Sequence, residues 1–216
     1  MIYTQKHYSW FSIIEVMVGI FIFTMGLISI YALLVSSLKV SDYNKNAIIA
    51  WNLAREQIEL LRNIRDTNYQ KLNVWNQINP NEAYNNDPTK FFSSWSTASW
   101  SYYTIENDFS GLTWFSVKML ALSWFEEWQD KLTDSWMEQY QVCEDITLWR
   151  YVDCEDPMSP DHKKTYFYKY LQVQEALYDD GTVIPETFKV TSKVIWFKRW
   201  YHEFDIKTLI SDWRRI

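Results

Sequence analysis

The chain divides by pattern before any single residue is considered. From Phe11 to Leu38, 28 residues run almost wholly apolar, with Glu15 the one charged side chain among Ile, Val, Leu, Phe, Met and small residues. As a helix at 1.5 Å per residue this stretch measures about 42 Å, more than the roughly 30 Å hydrocarbon core of a bilayer. Beyond Lys39 the pattern becomes amphipathic. Ala47, Trp51, Ala54, Ile58 and Leu61 recur at spacings of three and four, and Arg55, Glu56, Glu59 and Arg62 fall between them. Glu59 and Arg62 are expected to pair across one turn, for a few tenths of a kcal/mol. The first proline is Pro80, so one helix is expected from about residue 11 to 64 or beyond.

Residues 67–100 are rich in Asn, Ser, Thr and Tyr, with Pro80 and Pro88, and read as a long connection with little regular structure. Strand patterns follow at 102–105, 115–122, 146–152, 166–175, 189–197 and 203–211. The clearest are Lys-Tyr-Leu-Gln-Val-Gln at 169–174 and Lys-Val-Thr-Ser-Lys-Val at 189–194, which alternate with period two. Asp180-Gly181 is a turn signal in a longer loop, and 198–202 separates the last two strands as a hairpin would. The fold class is therefore α+β. A long N-terminal helix, membrane-spanning over 11–38 and amphipathic over 39–66, packs on an antiparallel sheet within a head at 67–216.

The apolar stretch is longer than the core of an ordinary secretory signal, and no small-residue cleavage site follows Leu38, so it reads as retained in the mature chain. Lys6 before it and Lys39 after it barely decide orientation. An N-terminus inside, with the polar bulk outside, is the expected arrangement. A carboxylate in such a span costs a few kcal/mol and needs a partner or a functional reason, unless it lies near the headgroups.

The residues around Glu15 narrow the choice. Phe11-Ser12-Ile13-Ile14-Glu15-Val16-Met17-Val18, preceded by the short polar stretch 1–10 with Lys6 and His7, resembles the prepilin motif of type IV pilins and type II secretion pseudopilins. The resemblance implies a leader at 1–10, cleavage by prepilin peptidase between Trp10 and Phe11, N-methylation of Phe11, and Glu15 as the fifth mature residue. In a filament the Glu15 carboxylate would then meet the free amine on Phe11 of a neighbouring subunit. The implied partners are other pilin or pseudopilin subunits, prepilin peptidase, the inner-membrane assembly platform and the lipid bilayer. The implied location is the cell membrane, single-pass with the N-terminus cytoplasmic, and then an extracellular or periplasmic filament. Asn52 through Asp66 also resembles the second half of the helix in pilin-like proteins. The ending Thr208 to Arg214 resembles the last strand of minor pilins, which makes Trp213 a genuine tryptophan. The departure is Trp10, where the family has glycine.

Composition bears on that departure. The chain holds 13 Trp and 4 Gly, where average usage predicts roughly 15 Gly. A bacterial gene whose UGA codons specify glycine, translated with a code that reads UGA as tryptophan, yields this exchange; an aromatic-rich surface protein is the other reading. Several tryptophans sit where turns are expected, as in Ser94-Trp95-Ser96 and Ser99-Trp100-Ser101. Under the first reading Trp10 is the missing glycine.

Net charge of −6 argues against a nucleic-acid module. In an extracytoplasmic head Cys143 and Cys154 are expected to be oxidised to a disulfide, the alternative being two free buried thiols. The acidic residues Asp153, Glu155, Asp156 and Asp161 match no EF-hand spacing and read as a solvated loop, so no metal or cofactor is expected. His162 and His202 belong to no Gly-x-Ser-x-Gly, His-x-x-x-His or phosphate-loop pattern, and no enzymatic activity is expected. The competing expectation is a signal-anchored extracytoplasmic binding or enzymatic domain in which Glu15 is incidental.

Overall fold

The computed structural model describes residues 12–80, 91–92, 101–106, 116–120, 140–154, 160–198 and 200–212. Among these residues one helix, α1 (Ile13–Gln70), precedes seven strands: β1 (Ser101–Glu106), β2 (Ser116–Leu120), β3 (Gln141–Asp145), β4 (Arg150–Asp153), β5 (His162–Leu177), β6 (Val183–Phe197) and β7 (Tyr201–Ser211). The architecture is α+β, a long N-terminal helix with an antiparallel sheet after it. The chain separates into two compact units, Met1–Asn46 and Ala47–Ile216. The first holds the apolar part of α1. The second is the head, built from the remainder of α1 and the sheet.

Within the head every strand pairing is antiparallel. The 16-residue β5 is the hub: β6 pairs along one edge, while β3 and β1 share the other through residues 162–168 and 171–173. β2 extends the sheet beyond β1, β4 beyond β3, and β7 beyond β6. Gly181, at φ 83, supports the turn between β5 and β6, where Tyr178 N–H donates to the Thr182 carbonyl at 2.8 Å. Pairing of Phe197 with Tyr201 closes the last hairpin.

The helix buries one stripe against the sheet in two hydrophobic clusters. Leu60, Leu61, Ile64 and Tyr69 meet Tyr103, Ile105, Leu171, Val173, Val190 and Ile210. Ala50, Leu53 and Ala54 meet Val142, Phe167, Val194 and Trp196, so small helix residues face large aromatics on the strands. Between the clusters sits a polar layer. Gln57 and Ser192 are both fully buried, and the serine hydroxyl donates to Gln57 Oε1 at 2.9 Å. Lys169, 1 % exposed, shares the helix-facing side of β5 with Phe167 and Leu171 and lies diagonal to Ser192 in the β5–β6 register.

Several expectations change. The helix runs on to Gln70, and Asn68, wholly buried, explains the ordered chain beyond it. Its amide donates to the carbonyls of Trp75 (3.1 Å) and Gln77 (2.7 Å). Asn73 and Asn76 do the same for Pro80 and Phe92. The asparagines of this connection thus supply hydrogen bonds that a strand or helix would otherwise provide. Trp51 is exposed, with the Arg55 guanidinium 5.4 Å from its ring, and Ala50 and Leu53 take the buried positions. Glu59 pairs with Arg55 at 2.6 Å, while Arg62 donates to Thr208 Oγ1. The stretch 146–152 is a turn followed by β4, and β3 lies at positions where the sequence pattern suggests no strand.

The polar layer generates a testable prediction. Ser192→Ala removes the hydroxyl and leaves the Gln57 carbonyl buried without a donor, which costs about 1–3 kcal/mol. Urea unfolding of Ser192→Ala, Gln57→Leu and the double variant should show strong non-additivity, with the double variant more stable than the sum of the single losses.

Candidate functional site

The start of α1 is set locally. Ser12 is the N-cap: its side-chain oxygen accepts from Ile14 N–H at 3.4 Å, and its carbonyl accepts from Glu15 at 2.9 Å and Val16 at 3.2 Å. Ser12-Ile13-Ile14-Glu15 has the spacing of a capping box, a signal the prepilin resemblance overshadows in the sequence. Only half of that box is made. Among the described residues none hydrogen-bonds or pairs with the Glu15 carboxylate, although its place in the first turn suits the positive end of the helix.

Beyond Glu15 the helix is long and apolar enough to cross a membrane by length and composition. Its side chains are exposed around the whole circumference, from Ile13 (79 %) and Phe21 (60 %) to Leu33 (71 %) and Leu38 (70 %). A soluble monomer rarely leaves so much contiguous apolar surface in water. Two hydroxyls deep in this stretch are satisfied from within: Thr24 donates to the Phe21 carbonyl and Ser29 to the Met25 carbonyl, both at 2.9 Å. They add no polar demand to a hydrocarbon environment. Glu15 is the one charged side chain between Phe11 and Leu38. Trp10 and Phe11, the expected processing residues, lie outside the described residues.

No family model matches this chain, and no curated protein or solved structure does either.

The head carries two further features. Cys143 and Cys154 are bonded, with S–S 2.05 Å and Cα–Cα 5.1 Å, across the β3–β4 hairpin. Cys154 N–H donates to the Gln141 carbonyl, which carries the ladder one step past β4. Inside this loop Asp145 organises the turn. Its Oδ1 accepts the N–H groups of Thr147 and Leu148, each at 2.9 Å, and Arg150 stands 3.5 Å from Oδ2. The Leu148 N–H, then that of Thr147 and the Arg150 guanidinium, hold the Asp145 carboxyl below the usual aspartate value, with burial opposing them. Ile146 and Leu148 look strand-like in sequence but are 50 % and 60 % exposed at the turn. The aspartate that starts the turn was the signal available to correct that reading.

The second feature is an open groove of about 670 Å³ beside the C-terminal end of α1, bordered by Leu72, Trp75, Glu175, Glu186, Phe188 and Asp212. Asp212 accepts the Tyr69 hydroxyl at 3.0 Å. Among the described residues the groove's lining includes carboxylates, amides and apolar side chains but no histidine, cysteine or lysine. Of the expected acidic loop, Glu155 and Asp156 lie outside the described residues. Among the described residues no group of His, Cys, Asp and Glu is placed to hold a metal ion.

Two outcomes follow for this hairpin. Replacing both cysteines by alanine should lower head stability by roughly 2–3 kcal/mol for a loop of this size, read from urea midpoints with the wild type unreduced. Asp145→Asn should be less stable than wild type at pH 7. Because the folded carboxyl titrates below its unfolded value, its contribution is present above the ordinary aspartate range and is lost as pH falls through the lowered value. The gap between the two proteins should therefore close below about pH 4, measured by urea unfolding across pH.

Proposed function

We propose that this chain is a structural subunit, of the minor kind, of a type IV pilus or type II secretion pseudopilus. It assembles through α1 once prepilin peptidase has removed residues 1–10. The observation that carries the reading is Glu15: a carboxylate left without a described partner in the first turn of an exposed apolar helix. Packed among copies of that helix in low dielectric, an unpaired carboxylate is expensive, and a neighbour's N-terminal amine on Phe11 answers it. The pair then sets the stagger between subunits, as a buried polar residue sets register in a coiled coil. The elaborate seven-stranded head suits a minor subunit. Its partners are other subunits, the peptidase, the assembly platform in the inner membrane and the lipid bilayer, with the head outside the cytoplasm.

A second reading is a signal-anchored extracytoplasmic binding domain. The open groove and the Ser12 cap favour it, since a cap explains an acid at position 15 without any assembly.

One substitution separates the two. Glu15→Gln keeps a residue suited to the third position of a capping box and removes the charge. In the native host the variant should fold, as read by protease resistance of the head, and should be cleaved before Phe11. Its recovery in sheared filaments should fall about tenfold or more, because leaving one partner of a buried pair alone costs several kcal/mol. Undiminished incorporation, or an uncut N-terminus on the native protein, would sink the filament reading.

A further inference from the structure

The described tryptophans fall into distinct environments. Trp75 and Trp196 belong to the core. Trp196 is 1 % exposed, stacks on His202 with ring centroids 5.1 Å apart and lies 6.1 Å from Phe167. Trp75 is 8 % exposed and sits 5.3 Å from Phe188. Each occupies a volume that a smaller residue would leave empty.

Trp149 and Trp200 are the opposite. Trp149 ends the turn between β3 and β4 with φ 52, in the left-handed region, and is 82 % exposed. A bulky side chain at positive φ is a genuine outlier, because its Cβ crowds the following carbonyl, whereas glycine enters that region freely. The other two positive-φ residues that are not glycine among the described residues have backbone bonds that hold them. Leu72 N–H donates to the Tyr69 carbonyl just past the end of α1, and the Glu186 carbonyl accepts from Asp212 N–H. Among the described residues Trp149 has no such bond and no ring contact to compensate. In the β5–β6 turn, at the other end of β5, a left-handed position is held by Gly181. Trp200 is 74 % exposed in the short turn between β6 and β7 and likewise has no side-chain partner among the described residues. Trp51, with Arg55 over its ring, belongs to neither set.

We propose that positions 149 and 200 are glycine in the native protein, specified by UGA, and that positions 75 and 196 are true tryptophan. The backbone at 149 and side-chain exposure at all four positions thus sort an exchange that composition, with 13 Trp against 4 Gly, detects only in bulk. The left-handed residue at 149 suits glycine, the exposed bend at 200 buries no indole, and a 1 %-exposed site flanked by Phe167 and His202 is built for one. The proposal rests on the head alone and stands or falls separately from the filament reading.

The test is peptide mass spectrometry of the protein isolated from its own cells. Peptides covering 149 and 200 should carry the mass of glycine, and those covering 75 and 196 the mass of tryptophan. Tryptophan at 149 or 200, or glycine at 75 or 196, overturns the assignment. A second measurement uses the chain expressed as written above. Trp149→Gly should raise its thermal midpoint by about 2–8 °C through relief of the left-handed strain, and Trp196→Gly should lower it. A lower midpoint for Trp149→Gly counts against the proposal.

Discussion

The hydrogen bond from Ser192 to Gln57 is the constraint around which the head is arranged. Apolar contacts are tolerant of sliding: a helix bearing Ala, Leu and Ile can shift along a sheet of Val, Leu and Phe and still bury similar area. A wholly buried amide has no such freedom. It sits between two hydrophobic clusters, and moving the helix by one turn would drive Gln57 into one of them and strand the serine. Gln57 Nε2 has no hydrogen-bond partner among the described residues, so the layer is not optimised for stability. Its effect is to make one placement of the helix far better than its neighbours.

This layer also explains why the clusters differ in character. On one side of Gln57 the helix presents Ala50 and Ala54, and the sheet answers with Phe167 and Trp196. On the other it presents Leu60, Leu61 and Ile64 to medium aliphatic residues and Tyr103. A helix held at one point can come close to the sheet where its side chains are small. The aromatic residues on the strands fill the space that remains, at the packing density expected of an interior.

Much of this architecture was legible in the sequence because it rests on period. The long helix, the last two strands and the central strand all carry repeats of three to four or of two over many residues. What escaped detection has no period of its own. Gln57 is one polar residue on a stripe otherwise read from its apolar members. Trp51 fits the helical spacing yet faces outward, because Ala50 and Leu53 already fill the groove over Trp196 and Val142. On β5 the alternation Lys-Tyr-Leu-Gln suggests one dry face and one wet one, whereas Lys169, Tyr170, Leu171 and Gln172 are all buried. A pattern of polarity tells which side chains differ, not whether both faces are covered. At the other end of the chain the candidate site was legible as a motif, with Glu15 at a fixed distance from an expected cut. That Thr24 and Ser29 satisfy themselves by bonding back along the helix depends on side-chain geometry beyond the reach of spacing.

The separation of Gln57 from Ser192, 135 positions along the chain, has a temporal side. At a synthesis rate of about 5–20 residues per second, the glutamine exists for roughly 7 to 27 seconds before the ribosome adds its partner. During that interval the stripe from Ala50 to Ile64 has no strand to cover it, and β5 has been made before the β6 it needs. The head is thus a late-closing structure whose N-terminal helix is an early and unprotected product. A chain of this design depends on what shelters that helix while the last hairpin is still being made.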